Sequence, residues 1–222
     1  MSHLNVELSR LKNDTIEMWS LVISQMEKAK TAVETCDKNL VNDIKANERR
    51  VDAFELKLDM DCENILALFN PVANDLRFVL SVIKINYNLE RIGDYARGIS
   101  RCVKDLIHPI SPEMLQEARI IPMFDTTIKI LKETLESFET EMNHKALAVF
   151  SEDQFLDEIN NNAIPTIAAM IKKNPDNIED TLQLLSFIRK LERVGDQTQN
   201  IAEEIIFYIE AKVLKHQKNK TI

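Results

Sequence analysis

Leu89-Glu90-Arg91-Ile92-Gly93-Asp94 is almost repeated by Leu191-Glu192-Arg193-Val194-Gly195-Asp196, which follows 102 positions later. Five of the six residues are identical, and the sixth exchanges Ile for Val. Each copy places two carboxylates at i and i+4, which is one side of a helix. Each copy also places a Gly inside an apparent helix, at a cost of roughly 1 kcal/mol relative to Ala. A costly residue kept twice at the same place indicates a requirement, and the duplication indicates an internal repeat.

The composition of the 222-residue chain favours an all-α fold. It contains only 3 Gly and 6 Pro, and no Asn-Gly or Asp-Gly pair, so hairpin turns have little support. The length allows one large domain or two of about 100 residues.

The charge and cysteine content restrict the class of protein. A formal net charge of −8 disfavours general nucleic-acid binding and suits cations or basic partners. The 3 cysteines form no Cys-x-x-Cys motif, which favours reduced thiols. The first residues do not have the pattern of a secretory signal, and no apolar run approaches the ~20 residues of a membrane span. We therefore expect a cytoplasmic protein.

Apolar residues recur at intervals of three and four along six stretches. They predict helices over about 4–38, 41–69, 71–107, 111–146, 151–173 and 175–215. These helices form two similar tandem units, residues 1–110 and 111–222, and each unit is predicted to be a three-helix bundle with short turns. The basic end, residues 215–222, is predicted to fray.

Polar and proline residues predict where these helices begin and bend. Asn70-Pro71 and Asn174-Pro175 are matching dipeptides in which Asn can cap a helix and Pro can open it. Ser111 and Pro112 have the same roles for the fourth helix. The remaining signals are Pro122, predicted to kink or restart the fourth helix, Pro165, predicted to bend the fifth, and Ser151 with Gln154, predicted to form a capping box.

A second acidic pair precedes each copy of the repeated motif. The eight candidate ligands are Glu48 and Asp52, Glu90 and Asp94, Asp153 and Asp157, and Glu192 and Asp196. On a helical wheel the motif carboxylates point away from their own core, and the preceding pairs flank it. Like charges at this spacing destabilise a helix by a few tenths of a kcal/mol, so four matched pairs invite a hard cation such as Mg²⁺, Mn²⁺, Ca²⁺ or iron. Gly93 and Gly195 are predicted to leave space beside the acids for a close partner or a cluster of ions.

Two other interpretations remain open at this point. Acidic residues fill 36 of 222 positions, so some pairs arise by chance, and the acids can form a solvated face of a metal-free adaptor. A ferritin-like di-iron enzyme is the second alternative. It requires two Glu-x-x-His motifs in a four-helix core, and the chain offers only Glu141-x-x-His144. The chain also has no Gly-rich phosphate loop and no Cys–His constellation, so no catalytic residues are predicted.

The repeated motif and its surroundings resemble the PhoU family of phosphate-uptake regulators. The resemblance lies in Asn70–Arg77, Leu89–Asp94, Leu191–Asp196, Asn200–Glu203 and Lys215-His216, and it extends over nearly the whole chain. It implies an all-α fold of two similar three-helix bundles. It also implies surface clusters of metal ions (Mg, Mn, Fe or Zn) held by the four acidic pairs, with Asn200 as a further oxygen ligand.

The same resemblance implies a non-enzymatic cytoplasmic regulator. Such proteins link the phosphate ABC transporter, through its ATPase subunit, to a sensor histidine kinase, and they restrain the phosphate-starvation response when phosphate is plentiful. A homodimer is expected, with no nucleic acid and with contact to the membrane only through partners.

The chain departs from the family pattern at several positions. Gly98 stands where the family often has Asn, so the first-repeat site is expected to have one oxygen ligand fewer than the second, which keeps Asn200. Tyr95 and Gln197 replace a frequent His after the motif Asp.

Overall fold

The computed structural model describes residues 2–106 and 108–213, and this part of the chain forms helices and connecting turns without a β-strand. The helices are α1 (His3–Thr35), α2 (Lys38–Phe69), α3 (Ala73–Asp105), α4 (Pro112–Glu117), α5 (Ile120–Thr140), α6 (His144–Asn161), α7 (Ala163–Lys173) and α8 (Ile178–Glu210), with a 3₁₀ turn at Pro175–Asn177 before α8. The predicted all-α fold is confirmed. The third helix ends at Asp105, close to the predicted 107. The last helix ends at Glu210 and not at the predicted 215, because Ala211 takes a left-handed conformation. The basic end, residues 215–222, lies outside the described residues.

The first bundle consists of α1, α2 and α3, which pack against one another over most of their length. Asp37 caps α2 by accepting a hydrogen bond from the Asn39 N–H at 2.8 Å. Asn70 has a role opposite to the predicted one, because it adopts a left-handed conformation that ends α2. The residue before α3 is Val72, which makes no side-chain cap. Asn is among the few residues that take a left-handed C-terminal position at low cost, and this explains the error.

The second bundle consists of α5, α6 and α8, with α7 continuing α6 along α8. The predicted fourth helix is divided between α4 and α5, where Arg119 is left-handed, and Ser111 caps α4 as predicted. The predicted fifth helix begins earlier, at His144, and is divided at Asn162. The predicted capping box is wrong, because Ser151 lies inside α6 and its hydroxyl donates to the Ala148 carbonyl oxygen at 2.8 Å.

The two bundles join through α3 against α8 and α1 against α5. Residues early in α3 contact residues late in α8, and the reverse, so these helices are antiparallel. The Ser81 hydroxyl donates to the Glu204 carbonyl oxygen at 3.1 Å, and Gly98 lies against the Lys190 side chain. Aromatic rings of both bundles meet where Phe138 contacts Trp19 and Phe78. The division at 110/111 stays a prediction.

Candidate functional site

The first acidic cluster forms between α2 and α3 around Glu48, whose side chain is buried. One Glu48 oxygen accepts a hydrogen bond from the Gln25 Nε2 at 3.1 Å, and the other approaches the Arg97 guanidinium at 3.4 Å. The Glu48 and Asp94 carboxyl groups are also hydrogen-bonded to each other. Burial, followed by this contact with Asp94, raises the pKa of Glu48 to about 7. The structure therefore brings together members of two predicted pairs from two different helices.

Other acids extend this cluster. The pKa of Glu90 is raised to about 7, first by burial and then by Asp94, Glu55 and Glu48. The pKa of Glu55 is also raised, by burial and then by Asp59 and Asp52. Glu55 and Asp59 were missed, although Glu48, Asp52, Glu55 and Asp59 repeat at intervals of four and three and so share one face of α2.

The second acidic cluster forms between α6 and α8. Asp153 is buried, with 5% of its surface exposed, and Asp157 is exposed one turn later. The pKa of Glu192 is raised, first by burial and then by Asp196 and Asp157. A hydrogen bond with Asn160, which was not predicted, acts in the opposite direction. Members of the two acidic pairs of this half are thus close enough to influence one another.

Asn200 lies on α8 but its contact is with the other bundle. Its side-chain amide donates to the Asn88 Oδ1 at 3.5 Å across the α3–α8 interface. It also lines a cleft of about 520 Å³ together with Glu55 and Asp59. The structure therefore places Asn200 beside α3, at the edge of the first bundle, rather than against α6.

Neighbouring side chains pack closely against the two motif glycines, Gly93 and Gly195. A Cβ on Gly93 would lie 3.0 Å from the Gln25 Oε1 and 3.6 Å from Val51. A Cβ on Gly195 would lie 2.5 Å from the Asp153 Oδ1 and 2.6 Å from the Leu156 Cδ1. The space that these glycines were predicted to leave for a close partner or a cluster of ions is occupied by side chains of neighbouring helices. It therefore serves a close partner within the fold rather than ions.

The donor set of both clusters consists mainly of carboxylate oxygens, which suit hard divalent cations and iron. Within residues 2–106 and 108–213, no three His, Cys, Asp or Glu side chains are already grouped as ligands of one ion. The oxygen chemistry of these residues suits such an ion, and a bound cation would lower the pKa values of Glu48, Glu90 and Glu192, which burial raises.

The Glu141-x-x-His144 motif does not form a metal site on one helix. Glu141 is the left-handed residue after α5, and its carboxylate bonds the Lys12 ammonium at 2.7 Å. His144 is exposed at the start of α6. A di-iron core requires both residues of such a motif to project inward from one helix, and Glu141 and His144 do not meet this requirement.

Across the described part of the chain, every helix is too short or too polar to cross a membrane.

Comparisons with known proteins give consistent matches to both halves. The family model described as "PhoU domain" matches residues 15–103 and again 120–205. The chain is 28% identical over 214 residues to the "Phosphate-specific transport system accessory protein PhoU homolog 1" of Thermotoga maritima, covering 96% of this chain and 91% of the relative. It is 30% identical to the "Phosphate-specific transport system accessory protein PhoU homolog" of Pseudomonas aeruginosa, covering 96% of this chain and 87% of that protein.

Two solved structures have the same fold. The crystal structure of PhoU from Pseudomonas aeruginosa superposes with a TM-score of 0.87 at 28% identity, covering 95% of this chain and 100% of that one. The phosphate transport system regulatory protein PhoU from Streptococcus pneumoniae superposes with a TM-score of 0.82 at 25% identity, covering 96% and 99%.

Proposed function

The chain belongs to the PhoU family, and on this premise we propose that it is an accessory regulator of phosphate transport and phosphate-starvation signalling. The family model matches both halves, and the relatives that cover nearly the whole chain carry the name of phosphate-specific transport system accessory protein. In this proposal the protein works in the cytoplasm as a homodimer without catalysis. It links the ATPase subunit of the phosphate ABC transporter to a sensor histidine kinase and restrains the starvation response when phosphate is plentiful.

We further propose that each acidic cluster binds divalent or iron-type metal ions. In the first cluster Glu48, Asp52, Glu90 and Asp94 are the ligands, and in the second Asp153, Asp157, Glu192 and Asp196. A bound cation would supply the positive charge that these carboxylates lack, and it would stiffen the acidic surface that meets partner proteins. Because no ligand set of three is already grouped among the described residues, binding requires side chains to turn toward a shared ion.

The observation that carries the metal proposal is that acids from two helices meet, Glu48 of α2 with Asp94 of α3. Burial, followed by this contact, raises the pKa of Glu48 to about 7. Burial first, and then the neighbouring carboxylates, disfavour the ionised forms of Glu48 and Glu90, and a bound cation would favour those forms. Glu192 repeats the effect in the second half, with Asp157 contributing from the neighbouring helix.

A metal-free adaptor is the second candidate, and one observation favours it. The Glu48 carboxylate already accepts a hydrogen bond from the Gln25 amide and forms an ion pair with the Arg97 guanidinium, so part of its charge is compensated without a metal ion. In this alternative the acids form a solvated face that partner proteins recognise directly.

Elemental analysis separates the two candidates. The protein is purified gently, and its metal content is compared with that of the double variant Asp94→Ala and Asp196→Ala. A matched control removes two exposed acids outside the clusters, Glu63→Ala and Glu139→Ala. We expect the wild type and the control to carry metal and the cluster variant to lose most of it. Equal, low metal in all three proteins would eliminate the metal proposal and leave the adaptor.

The regulatory role is tested separately in cells. Deletion of the gene is expected to raise expression from a phosphate-responsive reporter in phosphate-rich medium, and the wild-type gene is expected to restore repression. An unchanged reporter would contradict the regulatory proposal whatever the metal result. Complementation with the cluster variant then shows whether the acids are needed for repression.

A further inference from the structure

Two clefts lie along the α3–α8 interface, and the internal repeat relates one to the other. The first, of about 520 Å³, lies beside the early part of α3, and the second, of about 430 Å³, lies beside the early part of α8. The repeat offset of 102 positions equates Ile83, Lys84, Tyr87 and Asn88 in the first cleft with Leu185, Ser186, Arg189 and Lys190 in the second, and equates Gln197 with Tyr95. The two clefts are therefore duplicated surfaces that have diverged.

Their charges are opposite. Three carboxylates line the first cleft, and its single cation, Lys84, is paired with Glu204 at 3.0 Å. The second cleft is lined by three cations, Arg189, Lys190 and Arg193, and none of its described lining residues is a carboxylate. A cationic cleft is unusual on a chain with a net charge of −8.

The three cations of this second cleft, which we call the basic cleft, are available to a ligand. In residues 2–106 and 108–213 none of them forms an ion pair, although Arg193 is near enough to Glu192 to lower its pKa. Arg189 and Arg193 are also like charges at i and i+4, an arrangement that destabilises a helix. Arg91, the repeat equivalent of Arg193, differs because it donates to the Tyr87 and Tyr95 hydroxyls.

Gly98 explains how Lys190 reaches its place in the basic cleft. A Cβ at position 98 would lie only 2.9 Å from the Lys190 Cε, so the lysine stem passes directly over the glycine. The Lys190 ammonium then donates to the Ser186 hydroxyl in the same cleft. The position where the family pattern often has Asn is thus occupied here by the residue that makes room for a cation.

An apolar strip continues the basic cleft along α8. Leu182 has 51% of its surface exposed and Leu185 is half-buried at the cleft, while Ile178 is 45% exposed one turn before Leu182. A small inorganic anion would leave these side chains uncovered. A protein segment that carries both carboxylates and apolar side chains would cover the leucines and neutralise the cations together.

We propose that the basic cleft is a docking site for an acidic, amphipathic helical segment of a partner protein. Carboxylates of the partner, spaced at i and i+4, bind Arg189, Lys190 and Arg193, and an apolar side chain of the partner packs on Leu182 and Leu185. The proposal shares no residue with the acidic clusters, so it stands whether or not they bind metal.

The test uses a fluorescein-labelled helical peptide with Glu pairs at i and i+4 and Leu on the adjoining face, and a control peptide with Lys in place of Glu. The charge-reversal variant is Arg189→Glu with Arg193→Glu. Its matched control is Lys45→Glu with Arg49→Glu, an exposed cationic pair at the same spacing on α2 that lines none of the clefts. We expect anisotropy to report an affinity for the acidic peptide about tenfold or more weaker in the cleft variant, and within about twofold of wild type in the control.

Every other outcome overturns the proposal. An equal loss of affinity for the acidic peptide in both variants would mean that only the net charge of the protein matters. Equal affinity for the Glu and Lys peptides would mean that binding does not depend on the peptide's charge. Binding of inorganic phosphate, but not of the peptide, would make the cleft a small-anion site. A wild-type dimer that the cleft variant converts to a monomer in light scattering would assign the cleft to a second copy. If the charge-reversal variant fails to fold by circular dichroism, Leu182→Ser replaces it, because that side chain is already half exposed, and the same weakening is expected.

Discussion

Replacing Gly195 by Ala is expected to destabilise the protein, although Ala is the better helix former. The new methyl group would lie 2.5 Å from the Asp153 Oδ1 and 2.6 Å from the Leu156 Cδ1. Both neighbours are buried, so neither can swing into solvent. The contact must therefore be relieved by moving α6 away from α8 or by forcing a side chain out of its rotamer.

The magnitude follows from two opposing effects. Overpacking a well-packed core costs about 1–3 kcal/mol, and exchanging Gly for Ala in a helix interior returns about 1 kcal/mol. We expect Gly195→Ala to lower the free energy of unfolding by about 1 kcal/mol, since two buried atoms stand under 3.0 Å. Gly98→Ala is the matched control. Its single close neighbour is the flexible end of the half-buried Lys190, so this substitution is expected to raise stability by about 0.5 kcal/mol.

Urea denaturation followed by circular dichroism measures both changes, with wild type and variants at one pH and salt concentration. For a chain of this size the difference between the two variants corresponds to roughly 3–6 °C in Tm. Gly93→Ala is expected to fall between them, because its nearest neighbour is the Gln25 Oε1 at 3.0 Å. If Gly195→Ala were at least as stable as Gly98→Ala, close packing would not explain why the motif keeps its glycine.

Other predictions concern the interface and the acidic cluster. Phe138→Ala is expected to lower the unfolding free energy in urea by about 3–5 kcal/mol, because its fully buried ring contacts Trp19 and Phe78 of the first bundle and Tyr208 of the second. Lys84→Ala is expected to lower the unfolding free energy by about 1–2 kcal/mol, because it leaves the buried Glu204 carboxylate without its cation; an unchanged unfolding free energy would contradict the ion pair. For protein kept free of metal by a chelator, Tm is expected to fall as pH rises from about 5 to 8. The fold raises the pKa values of Glu48 and Glu90 from 4.5 to about 7, so it favours their protonated forms, and a Tm that rises over this range would refute the assignment.

The number and direction of the helices in the first half could be predicted from the sequence because apolar periodicity and local turn residues determine them. The second half was less predictable because proline marks a discontinuity without specifying its form. Pro122 and Pro165 are each the third residue of a new helix, α5 and α7. N–H groups in the first turn of a helix have no partner within that helix, so proline loses no hydrogen bond there. Beginning a new helix near the proline therefore costs less than bending a continuous one.

The candidate site was predictable where its residues share a helix face and unpredictable where they meet across helices. Glu55 and Asp59 follow Glu48 and Asp52 on the same face of α2, so their spacing in the sequence was enough to predict them. The surroundings of Gly98 were not accessible from its own helix, since its neighbour, Lys190, is distant in the chain and on the other bundle. The same is true of Asn200, whose amide contacts Asn88 rather than the acids of its own half.

In each half, the motif glycine packs on a residue that lies between the two members of the acidic pair on the neighbouring helix. Gly93 packs on Val51, which lies between Glu48 and Asp52 on α2, and Gly195 packs on Leu156, which lies between Asp153 and Asp157 on α6. In both halves the glycine therefore lets the motif helix approach the helix that carries the other acidic pair.

This arrangement predicts that Gly195→Ala weakens metal binding in the second half, because any outward shift of α6 separates the two acidic pairs. The substitution is made in an Asp94→Ala background, so that metal in the first cluster does not mask the effect, and Gly98→Ala in the same background is the control. Elemental analysis should find less metal in the Gly195 variant than in the Gly98 variant. Equal metal in the two would show that the acids of the second half gather without the close helix approach, and the glycine would then serve packing alone.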